Sequence, residues 1–66
     1  VWVIEFKVVS GDAATGEALA QIQARDYAAP YRGKPGVARV IELGVEFSKT
    51  RRTLVGWHAH EWVAQL

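Results

Sequence analysis

The chain opens on Val1-Trp2-Val3-Ile4-Glu5-Phe6-Lys7-Val8-Val9, an apolar, largely β-branched run with two charges two positions apart. Strand side chains alternate faces, so Trp2, Ile4, Phe6 and Val8 share one side. Val1, Val3, Glu5, Lys7 and Val9 share the other. A strand this apolar is expected to lie centrally in its sheet, with both faces covered. A Glu and a Lys projecting together from such a strand therefore need a reason. One is an ion pair at the rim of the sheet; the other is a metal-binding carboxylate beside a catalytic lysine.

The 66 residues make one small domain spanning 1–66, expected to be a fragment of a larger one. A chain of this size buries only about 60% of the surface its unfolded form exposes, so its stability is marginal. There is no cysteine, which excludes disulfides and thiolate metal sites and fits a cytoplasmic protein. Three Trp, two Tyr and two Phe supply bulky core material, so the chain reads as folded. A net charge of +1 argues neither for nor against nucleic acid. No apolar run approaches the length that spans a bilayer, so no membrane partner is expected. The chain starts without Met inside an apparent central strand, and a further strand is expected ahead of Val1.

Ser10-Gly11-Asp12 breaks the strand pattern. The Ala, Leu, Gln and Glu content then predicts a helix over Ala13 to Ala29, with Asp12 or Thr15 as N-cap and Gly16 a weak point. Ala18, Leu19, Ile22 and Ala28 supply its apolar stripe, and Pro30 should end it. Residues 31–36 read as a loop. A second strand is expected over Val37 to Phe47, with Val37, Ile41, Leu43, Val45 and Phe47 on one face and a mixed opposite face. A polar turn, Ser48 to Arg51, leads to a third strand from Arg52 to about Val63, and Gln65-Leu66 reads as a frayed end.

A strand, a helix and a strand imply a parallel pair, and the short turn implies an antiparallel third strand. The expected architecture is α/β (an α+β fragment): β-α-β-β, a mixed three-stranded sheet with one helix packed on one face.

Glu5-Phe6-Lys7 has the form Glu-x-Lys on a strand followed by a helix. Metal-dependent phosphodiester hydrolysis needs carboxylate oxygens for Mg²⁺ and a positive group near the scissile phosphate. Glu and Lys at i, i+2 face the same side about 7 Å apart, which lets them bracket one phosphate. The tripeptide alone is a weak signal.

The wider pattern is more specific. Ile4-Glu5-Phe6-Lys7, Ala18-Leu19-Ala20-Gln21-Ile22, Tyr27-Ala28, Tyr31, Leu43-Gly44-Val45-Glu46-Phe47-Ser48 and Arg52 through Trp57 follow one another in compatible order. Together they resemble the C-terminal nuclease-like domain of bacterial predicted AAA-ATPases, within the PD-(D/E)XK nuclease superfamily, from about Val3 to Trp57. The resemblance implies a partial restriction-endonuclease-like core, DNA as substrate of the intact parent, and Mg²⁺ or Mn²⁺ as its cofactor. It makes Glu5 the metal-binding carboxylate, Lys7 the catalytic lysine and Gln21 a further site residue. Gln23 and Tyr27 fit a related Gln-x-x-x-Tyr spacing and rank second; Tyr27 and Tyr31 also read as packing aromatics over the end of the sheet. The superfamily's first metal-binding Asp belongs to a strand that the resemblance places ahead of Val1. The 66 residues alone are accordingly expected to be inactive, with no tightly bound metal.

Other features carry weaker expectations. His58-Ala59-His60 places two imidazoles on one strand face, a spacing that can chelate Zn²⁺ or simply face water. Lys49, Arg51 and Arg52 can contact phosphate or form a solvated turn. Trp57 and Trp62 fall on opposite faces, so at least one should be exposed. An open edge along Val1 to Val9 would allow a homodimer. The alternative function is a non-catalytic β-α-β-β interaction or regulatory domain, with Glu5 and Lys7 merely paired.

Overall fold

β-branched and aromatic residues at alternating positions make Trp2–Val9 the first strand, β1. It is followed by α1 (Glu17–Arg25), β2 (Arg39–Ser48) and β3 (Thr53–Val63) in a computed structural model that describes residues 1–65. The frayed end expected at Leu66 lies outside the described residues, and Gln65 follows the last strand. The sheet order is β1-β2-β3, with β1 parallel and β3 antiparallel to β2. The expected β-α-β-β fold and its strand directions are those observed.

The helix is shorter than the 13–29 span expected. Gly16 occupies the N-cap in the left-handed region at φ 80°. Thr15, an expected cap, instead accepts the Glu17 N–H on its hydroxyl at 3.1 Å. The helix ends where Asp26 turns left-handed at φ 51°, four residues before Pro30. Successive turns follow, and Arg32 pairs with Asp26 across them. Val37 and Ala38 precede β2 rather than opening it.

Among the described strands β1 lies at one side of the sheet and β2 is central, which leaves the open edge expected along Val1 to Val9. Trp2, Ile4, Phe6 and Val8 are exposed, with Phe6 at 67%. The helix covers the other face, the one bearing Glu5 and Lys7. The cause is visible on β2: Gly44, paired with Glu5 on one side and His58 on the other, leaves room for the helix backbone to descend onto the sheet. A Cβ on Gly44 would stand 2.2 Å from the Leu19 nitrogen and 2.9 Å from the Ala18 Cβ. Only a glycine permits that approach. Ala18, Ile22, Ala28 and Val40 are buried at this contact, with Ile22 fully enclosed.

The β2–β3 hairpin turns through 49–52, with Arg52 at φ 55° and its N–H donating to the Ser48 carbonyl at 2.8 Å. The Thr50 hydroxyl donates to the Ser10 carbonyl at 2.8 Å, fastening the turn to the end of β1. The basic turn is exposed throughout. A register shift between Glu46 and Phe47 leaves Val55 as the extra residue of a bulge.

Candidate functional site

The helix runs back over β1, so residues at i, i+4 and i+8 on its near face lie in a row above that strand. Glu17, Gln21 and Arg25 form this row. Glu17 reaches Lys7, with Oε2 3.7 Å from Nζ. Arg25, at the other end, stands within electrostatic reach of Glu5. Gln21 sits between them and is half-buried, whereas Gln23 is exposed.

Glu5 and Lys7 thus share one partly covered face of β1, as their i, i+2 spacing requires. The Glu5–Lys7 ion pair, one of the two readings of this spacing, is not what forms: among the described residues the partner of Lys7 is Glu17. The reason is geometric. Side chains two apart on a strand project in parallel, about 7 Å apart, while the first helical turn leans over Lys7.

Arg25 is a residue the sequence reading passed over. Its guanidinium donates to the Tyr27 hydroxyl at 2.9 Å, a bond that raises its pKa above the ordinary arginine value, with Glu5 adding to the effect. The signal was available in the spacing, since Arg25 follows Gln21 by one helical turn. Tyr27 and Tyr31, expected as packing aromatics, are both exposed at 39%, and both follow the end of the helix.

The same sheet face continues past the helix. Register places Glu42 and Glu46 of β2 beside His60 and Gly56 of β3. Glu42 is buried, with Oε1 3.1 Å from His60 Nδ1. Glu46 is fully buried and leans toward His58, whose Nδ1 lies 3.9 Å from Oε2. Burial pushes the Glu46 pKa up, but hydrogen bonds from Thr15 and Gly16 outweigh it, with help from His58, and the net direction is below 4.5. Ala18 and Leu19, riding over Gly44, stand between His58 and Glu5, whereas Glu46 is the cross-strand neighbour of Lys7.

The opposite face is a shallow apolar cavity of about 730 Å³, lined by Trp2, Ile41, Leu43, Val45, Leu54 and Trp57 among others. Arg39 and Glu61 pair at its rim. Trp57 is 63% exposed there and Trp62 is half-buried on the helix side, the opposite-face placement that alternation requires.

The donor set limits what the Glu5 face can hold. Glu42 and Glu46 are committed to His60 and to Thr15 and Gly16. Among the described residues no group of three His, Asp or Glu side chains can hold a metal ion. Glu5 fits as a single oxygen ligand, within the one or two carboxylates that Mg²⁺ takes when a phosphate completes its shell. Among the described residues no helix is long and apolar enough to cross a membrane.

A family model described as the PD-(D/E)XK nuclease superfamily matches residues 1–57. No curated protein and no solved structure matches the chain. The matched span covers β1, α1, β2 and the start of β3, and ends before His58.

Proposed function

The chain belongs to the PD-(D/E)XK nuclease superfamily, and we propose that its β1–α1 face serves metal-dependent hydrolysis of DNA phosphodiesters. The observation that carries this is the shared projection of Glu5 and Lys7 beneath the Glu17–Gln21–Arg25 row. Lys7 offers its ammonium to a phosphate oxygen on which charge develops as water attacks phosphorus and the P–O bond breaks. Its pairing with exposed Glu17 holds it over the face and is readily exchanged for a phosphate. Glu5 supplies an oxygen ligand for Mg²⁺ or Mn²⁺, and Gln21 an amide that can orient water or phosphate. A bound divalent ion supplies Lewis-acid polarisation of the phosphate and a more acidic water.

The setting we propose is a bacterial, cytoplasmic protein with an AAA-type ATPase module. The test has two parts. Mn²⁺ added to the chain should broaden NMR signals around Glu5, and Glu5→Gln should remove that broadening. In the parent protein Lys7→Ala should abolish DNA cleavage while the broadening persists. Cleavage undiminished in Lys7→Ala, or no broadening around Glu5, sinks the assignment.

A second reading is favoured by one observation: β1 has no strand partner on its outer side among the described residues, and Trp2, Ile4, Phe6 and Val8 are exposed beside it. Such an edge offers unpaired N–H and C=O groups to another strand. We propose that a second copy of β1 can pair there, making the domain an interaction module. A monomeric mass by size exclusion, unchanged with concentration, rules this out.

A further inference from the structure

His58 and His60 are used by nothing above, and the family match ends at Trp57, ahead of both. They project from one face of β3, two residues apart, with side chains 46% and 56% exposed. Behind them lie two carboxylates with side-chain exposures of 0% and 6%. We propose that His58 and His60 form a binding site for a divalent transition ion of the zinc type, ligated through Nε2. Glu42 and Glu46 act as positioning residues on the Nδ1 side.

The hydrogen-bond chemistry carries the inference. Glu42 Oε1 lies 3.1 Å from His60 Nδ1, and a carboxylate oxygen can only accept. With that carboxylate ionised Nδ1 carries the hydrogen, and in the neutral form of the ring the free lone pair is then on Nε2. That is the tautomer a metal requires, and ligating histidines almost always donate their second ring N–H to a carboxylate or carbonyl. His58 repeats the orientation more loosely, its Nδ1 3.9 Å from Glu46 Oε2, beyond hydrogen-bond reach but within electrostatic steering. Both oxygens of Glu46 are already occupied by Thr15 and Gly16, which fixes the carboxylate in place.

Spacing fits the same use. Residues i and i+2 of a strand stand about 7 Å apart on one face, a separation two imidazoles can bridge by inclining toward one ion. Bonds of about 2.0–2.1 Å to imidazole nitrogen suit Zn²⁺, whereas Mg²⁺ prefers oxygen. Glu61, the next acidic residue along β3, points to the other face and pairs with Arg39, so the remaining coordination positions belong to water or solute. The site is separate from Glu5, and its failure would leave the nuclease reading untouched.

Titration calorimetry of the chain with Zn²⁺ at neutral pH, followed in parallel by imidazole NMR, tests the proposal. The expected result is one saturable ion per chain, with signals of both rings moving together and no competition from excess Mg²⁺. His58→Ala and His60→Ala should each remove most of the binding without changing the circular dichroism, since both side chains are largely exposed. Glu42→Gln should weaken it by about 10–100-fold. Absence of saturable binding overturns the site, as does binding that survives in the double variant His58→Ala/His60→Ala. Unchanged affinity in Glu42→Gln overturns the positioning role.

Discussion

Glu46 of β2 and Thr15 of the loop before α1 are joined twice, with Oε1 accepting the backbone N–H and the hydroxyl of Thr15, each at 2.7 Å. Oε2 accepts the Gly16 N–H at 2.7 Å. The first N–H groups of a helix have no partner within it, and the positive end of its dipole favours an anion. A carboxylate from the sheet takes the N–H groups of the N-cap Gly16 and of Thr15 before it, at that positive end, and ties the start of the helix to β2.

Removing that carboxylate should be costly. Hydrogen bonds to a charged group contribute about 1.5–3 kcal/mol each, and a buried donor left without a partner costs about 1–3 kcal/mol. Glu46→Ala should therefore lower stability by on the order of 3 kcal/mol, a large share of what so small a domain has. Urea unfolding followed by circular dichroism measures it. A shift below about 0.5 kcal/mol, the range of ordinary surface changes, shows that the helix is held by other contacts.

Acid should act through the same group. Burial raises the Glu46 pKa, the bonds from Thr15 and Gly16 more than offset this, and the folded value lies below the ordinary 4.5. Stability from this carboxylate is therefore complete above that ordinary value and is lost as pH falls through the lower folded pKa. Glu46→Gln should flatten the dependence of unfolding free energy on pH across this acid range. An unchanged slope in Glu46→Gln assigns acid sensitivity to another carboxylate.

Gly44 tests the helix–sheet contact directly. A Cβ there meets the Leu19 backbone nitrogen at 2.2 Å, and backbone in a packed helix cannot step aside. Gly56 is similar on β3, but its Cβ would meet the Ala14 side chain at 2.6 Å, in a loop that can shift. Overpacking commonly costs about 1–3 kcal/mol, and Gly44→Ala should reach or exceed the top of that range while Gly56→Ala stays near the bottom. Thermal melts of the two variants give the order; the reverse order means the helix does not rest on Gly44.

Much of this arrangement was legible in the chain itself. Alternation located the three strands, and the helix-length connection against the four-residue turn set parallel and antiparallel pairing. What could not be read was which face of β1 the helix would choose. Apolar Trp2, Ile4, Phe6 and Val8 look like the covered side, yet Gly44 and Glu46, on the mixed face of β2, decide for the other. That choice depends on backbone clearance and on a bond between residues 31 positions apart, neither of which has a local pattern. The helix ends were hidden for a related reason: Thr15 and Gly16 are drawn to Glu46, and Asp26 leaves the helix with no Gly or Pro at that position. At the site, the Glu-x-Lys spacing placed Glu5 and Lys7 on one face, but the partnership of Lys7 with Glu17 needed the helix position.

The two apolar faces should respond differently to truncation. Ile22 is fully buried between α1 and the sheet, whereas Phe6 is 67% exposed on the face without a helix. Cutting a buried Ile to Ala removes both its transfer free energy and its packing, typically about 2–5 kcal/mol, while exposed positions usually change stability by within about 0.5 kcal/mol. Ile22→Ala should therefore unfold at much lower urea than Phe6→Ala, which should track the unaltered chain. Both should be measured at low protein concentration, because pairing of β1 with a second copy would bury surface around Phe6. If Phe6→Ala costs as much as Ile22→Ala even when dilute, the open face is packed in solution and the exposure of Trp2, Phe6 and Trp57 is not that of the isolated chain.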